Sequence, residues 1–403
     1  MADMTGLHIV IVPAWWPSPE QPTAGIFFQD YARAFADAGA RVGVIYPDLV
    51  SLRYLARRPR APLVPRIERE FLAPEIPVIR IRGLHTAFRQ PARQMHRYQR
   101  WVRRGLEAYR SLHGSPDVLH AMCSIPAGWA CGALDGELRR PVVLTEHFGP
   151  FSSLMTPRAG ESFVREAVAA ADLVVTVSER SRDDMRATGI AREILVCGNG
   201  VTTEFTDGSP VDNRRSPGPL RALFVGRLTQ EKGVRELVDA AVSMESSMAA
   251  GVEWHFVGDG PLASEIKSRF EAAGRTGLLR LHGELPRAAV IEQMTAADFL
   301  VMPSHGETFG AVVAEALCVG RPVVVTRGTA CAEFVNDGNG ILVDARDAAS
   351  LRDGLERMIR SLDGFDRAEI SRAARERFSL ARVADWYAGQ FRKLVPTAPA
   401  PTA

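Results

Sequence analysis

The chain has 403 residues, of which 46% are apolar and 24% charged, and a net charge of +2. Its length exceeds one ordinary domain, and its apolar content is ample for two cores of about 200 residues each. Five cysteines, an odd number with no C-x-x-C pair, exclude a disulfide framework, and no run reaches the ~18 apolar residues that would span a bilayer.

The first residues, MADMTGLHIVIV, lack the basic region of a signal peptide and soon meet Pro13, so a reducing, cytoplasmic setting is expected. Leu7 to Val12 is a short apolar run suited to a parallel strand buried on both faces. The loop PAWWPSPEQPTAG follows, then a helix from about Ile26 to Ala38 and a strand from Arg41 to Tyr46. Gly25 stands near the helix entrance, where a missing Cβ lets backbone approach a phosphate. The Trp15-Trp16 pair suits a site cover or, more simply, packing.

Between Arg53 and Arg110 fifteen arginines face four glutamates with no Asp or Lys, a local balance of +11. Such a stretch attracts a polyanion, an anionic lipid headgroup or a phosphorylated acceptor, and it equally suits a solvated Arg-rich face. It includes a strand at Val78 to Ile81 and a helix around Gln94 to Leu112. Further strands are expected at Asp117 to His120, Val142 to Thr145 and Ala171 to Val177, and Ile194 to Cys197 leads into Gly198-Asn199-Gly200-Val201. The second of these ends in Thr145-Glu146-His147-Phe148-Gly149, and a polar cluster just past a strand is where open α/β sheets bind ligands. His147 is therefore a candidate, with turn capping as the plain alternative. Ser178 is placed to cap the next helix.

TDGSPVDNRRSPGP, from Thr206 to Pro219, has the composition of a linker. The alternation then restarts, with strands at Arg221 to Val225, Trp254 to Val257, Leu278 to Leu281, Phe299 to Met302, Pro322 to Thr326 and Gly340 to Val343. Two doubly wound, Rossmann-like domains with a cleft between them are the natural architecture. One more amphipathic helix is expected from Phe378 to Leu394, and PTAPAPTA beyond it reads as disordered.

Chemistry concentrates in the second half. Gly226-Arg227-Leu228-Thr229-Gln230-Glu231-Lys232-Gly233 follows the first strand, and its Arg and Lys suit a diphosphate. Val257-Gly258-Asp259-Gly260 lacks the third glycine of a dinucleotide fingerprint. His282 to Pro286 is suited to pass along a nucleobase. Met302 to Val325 then carries Glu307 before a helix from about Gly310 to Cys318, and Glu315 inside it. A carboxylate in so apolar a helix calls for a polar partner, for which a ribose diol is well shaped. The helix start carries roughly half a positive charge and free N–H groups for phosphate or sugar oxygens.

Taken together, GRLTQEKG, VGDGPL, HGELPRAAV, the Pro303 to Val325 stretch and GNGILV occur in the order and spacing of family 4 retaining glycosyltransferases of the GT-B type. AWWPSPEQPTAGIF, HAMCSIPAG, VVLTEHFGPF, VSERS and GNGV resemble the first half of the same family. The resemblance implies an acceptor-binding domain at 1–205, a linker at 206–219, a nucleotide-sugar domain at 220–377, and a helix at 378–395 that packs back on the first domain. A tail follows at 396–403.

It also implies residue roles. Glu307 is similar to the carboxylate that holds donor-sugar hydroxyls, and Glu315 to the one that holds the ribose. Arg227 and Lys232 resemble the diphosphate pair, with Gly25, Leu285, Thr308, Phe309, Gly310 and Ala311 completing the donor set. His147 is similar to the acceptor-side histidine. Thr329-Ala330 in place of paired glycines, Cys318 in place of Ala, and HAM in place of HAH are departures. The implied reaction moves a hexose from a UDP- or GDP-sugar to an acceptor hydroxyl, with retention. No cofactor and no metal are expected, because no DxD-type motif stands where it would serve. Saccharide or lipid-linked acceptors and peripheral contact with an anionic membrane are the expected partners, and nucleic acid is not. A nucleotide-sugar epimerase and a non-catalytic nucleotide-sugar-binding protein are the competing readings.

Overall fold

The computed structural model describes residues 3–18, 21–51, 64–85, 90–158, 160–206, 218–245 and 251–395. It divides into two compact units, Met1–Gly200 with Leu380–Ala403, and Val201–Ser379.

The first unit is built on an eight-stranded sheet in the order β3-β4-β2-β1-β5-β6-β7-β8. Its central strand, β1 (His8–Pro13), is buried along its whole length. Side chains alternate along a strand, so β1 serves two cores. Val10 and Val12 pack with Trp101, Val102 and Leu106 on one face, and Ile9 and Ile11 pack with Phe28 and Phe35 on the other. β2 (Arg41–Ser51) and β5 (Val118–Met122) flank it in parallel, with Val10 opposite Gly43 and Leu119. β6 (Val142–Glu146), β7 (Leu173–Thr176) and β8 (Leu195–Val196) extend the sheet.

One strand was not legible in the sequence. β3 (Arg66–Ala73) runs antiparallel to β4 (Ile76–His85) at the sheet edge, and its charged residues Arg66, Glu68, Arg69 and Glu70 are interspersed with Ile67 and Phe71, both exposed. An edge strand of this kind shows no apolar run.

The expected helix from Phe378 to Leu394 is observed as Leu380–Leu394, and Phe378 instead closes the preceding helix. Arg367–Phe378 ends at an extended Ser379 and belongs to the second unit, and Leu380–Leu394 belongs to the first. Val383, Tyr387 and Phe391 enter the core beside Phe28 and Phe35, so the return of the terminal helix to the first domain is observed.

The second unit holds a parallel sheet in the order β11-β10-β9-β12-β13-β14. These are β9 (Leu220–Val225), β10 (Val252–Val257), β11 (Leu279–Gly283), β12 (Phe299–Met302), β13 (Val323–Thr326) and β14 (Gly340–Val343). Val201 to Phe205, expected with the first domain, lies in this unit. Most of the expected 206–219 linker, the 396–403 tail and the Arg53–Arg60 run fall outside the described residues.

Candidate active site

Two loops meet at the C-terminal ends of β9 and β12. The first carries Gly226 to Gly233, and the second Pro303 to Gly310. Gly233 has a left-handed backbone (φ 68°), and a Cβ there would overlap the Pro303 carbonyl oxygen. Only glycine lets the two loops approach so closely. His305 fastens the contact, because its backbone N–H donates to the Glu231 carbonyl at 2.9 Å and its Nε2 lies 3.0 Å from Glu236 Oε1. Sequence reasoning missed both His305 and Glu236. A histidine within the loop and a glutamate three residues past Gly233 were the available signals.

The result is an ion pair. Lys232 Nζ donates to Glu307 Oε1 at 2.6 Å, with side chains 23% and 14% exposed. The pair stands at the start of the helix Ala311–Cys318, entered through Gly310 (φ 87°). A Cβ on Gly310 would sit 2.5 Å from the Cys331 Cβ. By helix geometry the first-turn amides, including Ala311 and Val312, have no intrahelical carbonyl to bond. Ala330 N–H donates to the Glu307 carbonyl at 3.3 Å, and Thr329 Oγ1 to the Thr326 carbonyl at 2.7 Å, so the departure from paired glycines leaves an ordered loop.

The other expected donor residues are less uniform. Arg227 does not meet Lys232's partner; its guanidinium is 71% exposed and lies 3.4 Å from Glu231, the carboxylate four residues on. Glu315, expected to be buried in its apolar helix, is half-buried while Val313, Ala314, Ala316 and Leu317 are buried. At one position per 100° the carboxylate faces away from the apolar stripe. Phe309 is buried against Phe334 and Phe378, at ring distances of 4.9 and 6.0 Å, so only its backbone can serve a ligand. Thr308 and Leu285 are half-buried and Ala311 is exposed.

Val257-Gly258-Asp259-Gly260 has a structural use. A Cβ on Gly258 would overlap the Gly226 carbonyl, and Leu228 N–H donates to the Asp259 carbonyl at 2.9 Å. Its glycines let this loop brace the one carrying Arg227.

In the first unit, His147 follows β6 and is 8% exposed, ringed by Phe27 and Phe28 at 5.2 Å and Tyr31 at 5.9 Å. Burial lowers its pKa to about 3, opposed by nearby Asn199, yet neither ring nitrogen reaches hydrogen-bonding geometry with any described residue. A buried, neutral imidazole with two unused polar atoms is unusual unless a ligand or water completes it. His120 differs. It is fully buried, its Nε2 lies 2.8 Å from Thr145 Oγ1, and that hydroxyl lies 2.8 Å from the Tyr387 hydroxyl of the terminal helix.

Gly25 (φ 70°) is fixed by packing, since a Cβ would fall 2.6 Å from the Trp15 carbonyl oxygen and 3.0 Å from Phe28. Glu146, passed over in the sequence, organises the loop around His147. It accepts from Ser124 N–H at 2.9 Å, from the Ser124 hydroxyl, and from Phe148 N–H at 2.8 Å. Burial pushes its carboxyl above the usual range, against these hydrogen bonds and one from Cys123.

Similarity to known proteins follows the two units. Residues 24–205 match the family model for glycosyltransferase family 4, and residues 209–377 that for glycosyl transferases group 1. Bacillus subtilis TuaC, a glycosyltransferase named for teichuronic acid biosynthesis, is 26% identical over 87% of this chain and 89% of its own. The sucrose-phosphate synthase of Thermosynechococcus elongatus superposes with a TM-score of 0.73 at 18% identity, over 97% of this chain and 100% of the other. Anabaena HepE, solved with UDP, superposes with a TM-score of 0.69 at 18% identity, over 96% and 100%. With one family model on each half and this fold shared along the whole chain, the protein belongs to the family 4 glycosyltransferases of the GT-B fold.

Proposed function

We propose that the protein transfers a hexose, with retention, from a nucleoside diphosphate sugar to an acceptor hydroxyl in polysaccharide or glycolipid assembly. The observation that carries this reading is the Lys232–Glu307 pair at the start of the helix Ala311–Cys318. A cation beside a carboxylate and a set of free backbone amides suits a donor that carries both a diphosphate and sugar hydroxyls.

In this reading Glu307 holds the sugar hydroxyls, and Lys232 and Arg227 take the diphosphate with the amides near Phe309, Gly310 and Ala311. Glu315 holds the ribose, and Thr308 and Leu285 flank the donor. The leaving diphosphate gathers negative charge as the anomeric bond breaks, and each preorganised donor there is worth about 3 kcal/mol. Lys232, Arg227 and the helix start counter that charge, with no cofactor called for. His147 acts on the acceptor side, its neutral ring able to donate from one nitrogen and accept at the other.

The Arg-rich helix Pro91–His113 exposes Arg93, Arg100 and Arg104, which supports peripheral contact with an anionic membrane. No helix among the described residues is long and apolar enough to cross one. The test is a panel of UDP-, GDP- and ADP-sugars read by thermal shift and by release of nucleoside diphosphate with and without acceptor. One donor should raise the melting temperature and turn over faster with acceptor. Turnover of the sugar without acceptor, into an epimer, defeats the proposal.

A further inference from the structure

The first unit holds a cavity of about 520 Å³ at the C-terminal ends of β1, β2, β5 and β6. The sheet order reverses between β1 and β5, and the crevice at such a switch point is where open α/β sheets take ligands. Trp15, Tyr46, Met95, Phe148, Leu154 and Phe163 are among the residues of its wall. Trp16, the other half of the tryptophan pair, is in the core, whereas Trp15 is half-buried and turned to the cavity. Gly25 holds it there, because any side chain at 25 would displace the Trp15 ring. Phe148, next in the chain to His147, is 39% exposed at the cavity wall.

The described wall is more apolar than polar. Among the described residues its polar side-chain groups are Gln94, Arg158, the Trp15 indole N–H and two phenols, and the Tyr98 hydroxyl already donates to the Pro13 carbonyl at 3.1 Å. A pyranose carries a hydroxyl on nearly every carbon and asks for more hydrogen-bond partners than these side chains provide. An apolar chain asks for no such partners and can bury its length against Met95, Leu154 and Phe163. Among the described residues no carboxylate lines the cavity, and the charged lining residue is the exposed Arg158. The wall formed by Pro91, Gln94 and Met95 is the start of the same helix that exposes Arg93, Arg100 and Arg104.

We infer that this cavity binds the apolar chain of an anionic amphiphile, a lipid phosphate, with the phosphate at Arg158. The acceptor is then lipid-linked, a statement that rests on the transferase reading; the binding itself does not.

The test uses the full chain and reads tryptophan fluorescence on titration with farnesyl phosphate, farnesol, phenyl phosphate, inorganic phosphate and maltose, with UDP binding followed in parallel. Farnesyl phosphate and farnesol should bind and the other three should not. Arg158→Ala should weaken farnesyl phosphate several-fold and leave farnesol unchanged, as expected for one exposed charge. Leu154→Arg should abolish both, and Trp15→Phe should remove the signal. Phe148→Ala, at an exposed position, tests the wall without threatening the fold. Phenyl phosphate binding as tightly as farnesyl phosphate overturns the lipid in favour of a soluble aromatic anion. Maltose displacing farnesyl phosphate, or farnesyl phosphate binding unaffected by Leu154→Arg and Phe148→Ala, overturns the inference. UDP binding with no farnesyl phosphate binding sinks the cavity alone, and failure to bind any nucleotide strikes the transferase reading instead.

Discussion

Lys232 Nζ and Glu307 Oε1 lie 2.6 Å apart across 75 positions of sequence, and the ion pair joins the loop after β9 to the loop after β12. Neither side chain reaches bulk water freely, so each fixes the position of the other. Lys232→Ala should therefore lower turnover at least about tenfold, by removing a cation from the leaving group and releasing Glu307. Arg227→Ala should produce a similar loss with less effect on melting temperature, because that side chain is 71% exposed and packs on little. Steady-state rates and thermal melts of both variants check this. Normal turnover in both would remove the donor-site assignment.

Gly233→Ala should damage the same site through the backbone. The new Cβ would overlap the Pro303 carbonyl at a left-handed φ of 68°, so the loops must part. Strain of this kind costs about 1–3 kcal/mol. The expected result is a lower melting temperature together with weaker nucleotide binding by calorimetry. Ala at Gly277, which faces open space, is the control.

Glu146→Gln should loosen the loop that carries His147 and Phe148. The carboxylate accepts from Ser124 N–H, the Ser124 hydroxyl and Phe148 N–H, and an amide nitrogen in its place would confront a donor with a donor. One buried donor left unsatisfied costs about 1–3 kcal/mol. Denaturant melts should show that loss, and acceptor KM should rise more than donor KM.

Acid should unfold the first unit through two histidines. Burial lowers the pKa of His120 and His147 to about 3, so the native rings stay neutral while the unfolded chain takes up protons near pH 6.5. The unfolded state then binds more protons between those values, and stability falls as pH drops through that window. At pH 5 the loss is about 2 kcal/mol for each ring relative to pH 8. Glu146 works in the opposite sense, since a raised carboxyl pKa favours the native state at low pH. His120→Asn should flatten the slope of stability between pH 7 and pH 5 in urea titrations. An unchanged slope would contradict the buried neutral state.

Tyr387→Ala should destabilise the first unit by about 3–5 kcal/mol, as other large-to-small core changes do. Tyr387 is fully buried, its hydroxyl lies 2.8 Å from Thr145 Oγ1, and its ring packs with Phe35 and His120. Truncation before Leu380 should leave that unit unfolded, as read by loss of protection in limited proteolysis.

Strand positions, the helix starts at Ile26 and Val234 and the Ser178 cap follow from local chemistry, namely apolar periodicity and the residues that punctuate it. Sequence by itself therefore determined two α/β halves and the loops in which Glu307, Lys232 and His147 would be found. It read poorly wherever burial on both sides was missing. β3 shows its charges at a sheet edge, without the apolar run that marks a strand buried on both faces. Tertiary structure alone decided that Lys232 pairs with Glu307 while Arg227 turns to Glu231, that Glu315 is half-buried, and that Trp15 lines a cavity while Trp16 fills the core. Each of these depends on which surface a side chain meets across long separations in the chain, and no local pattern encodes that.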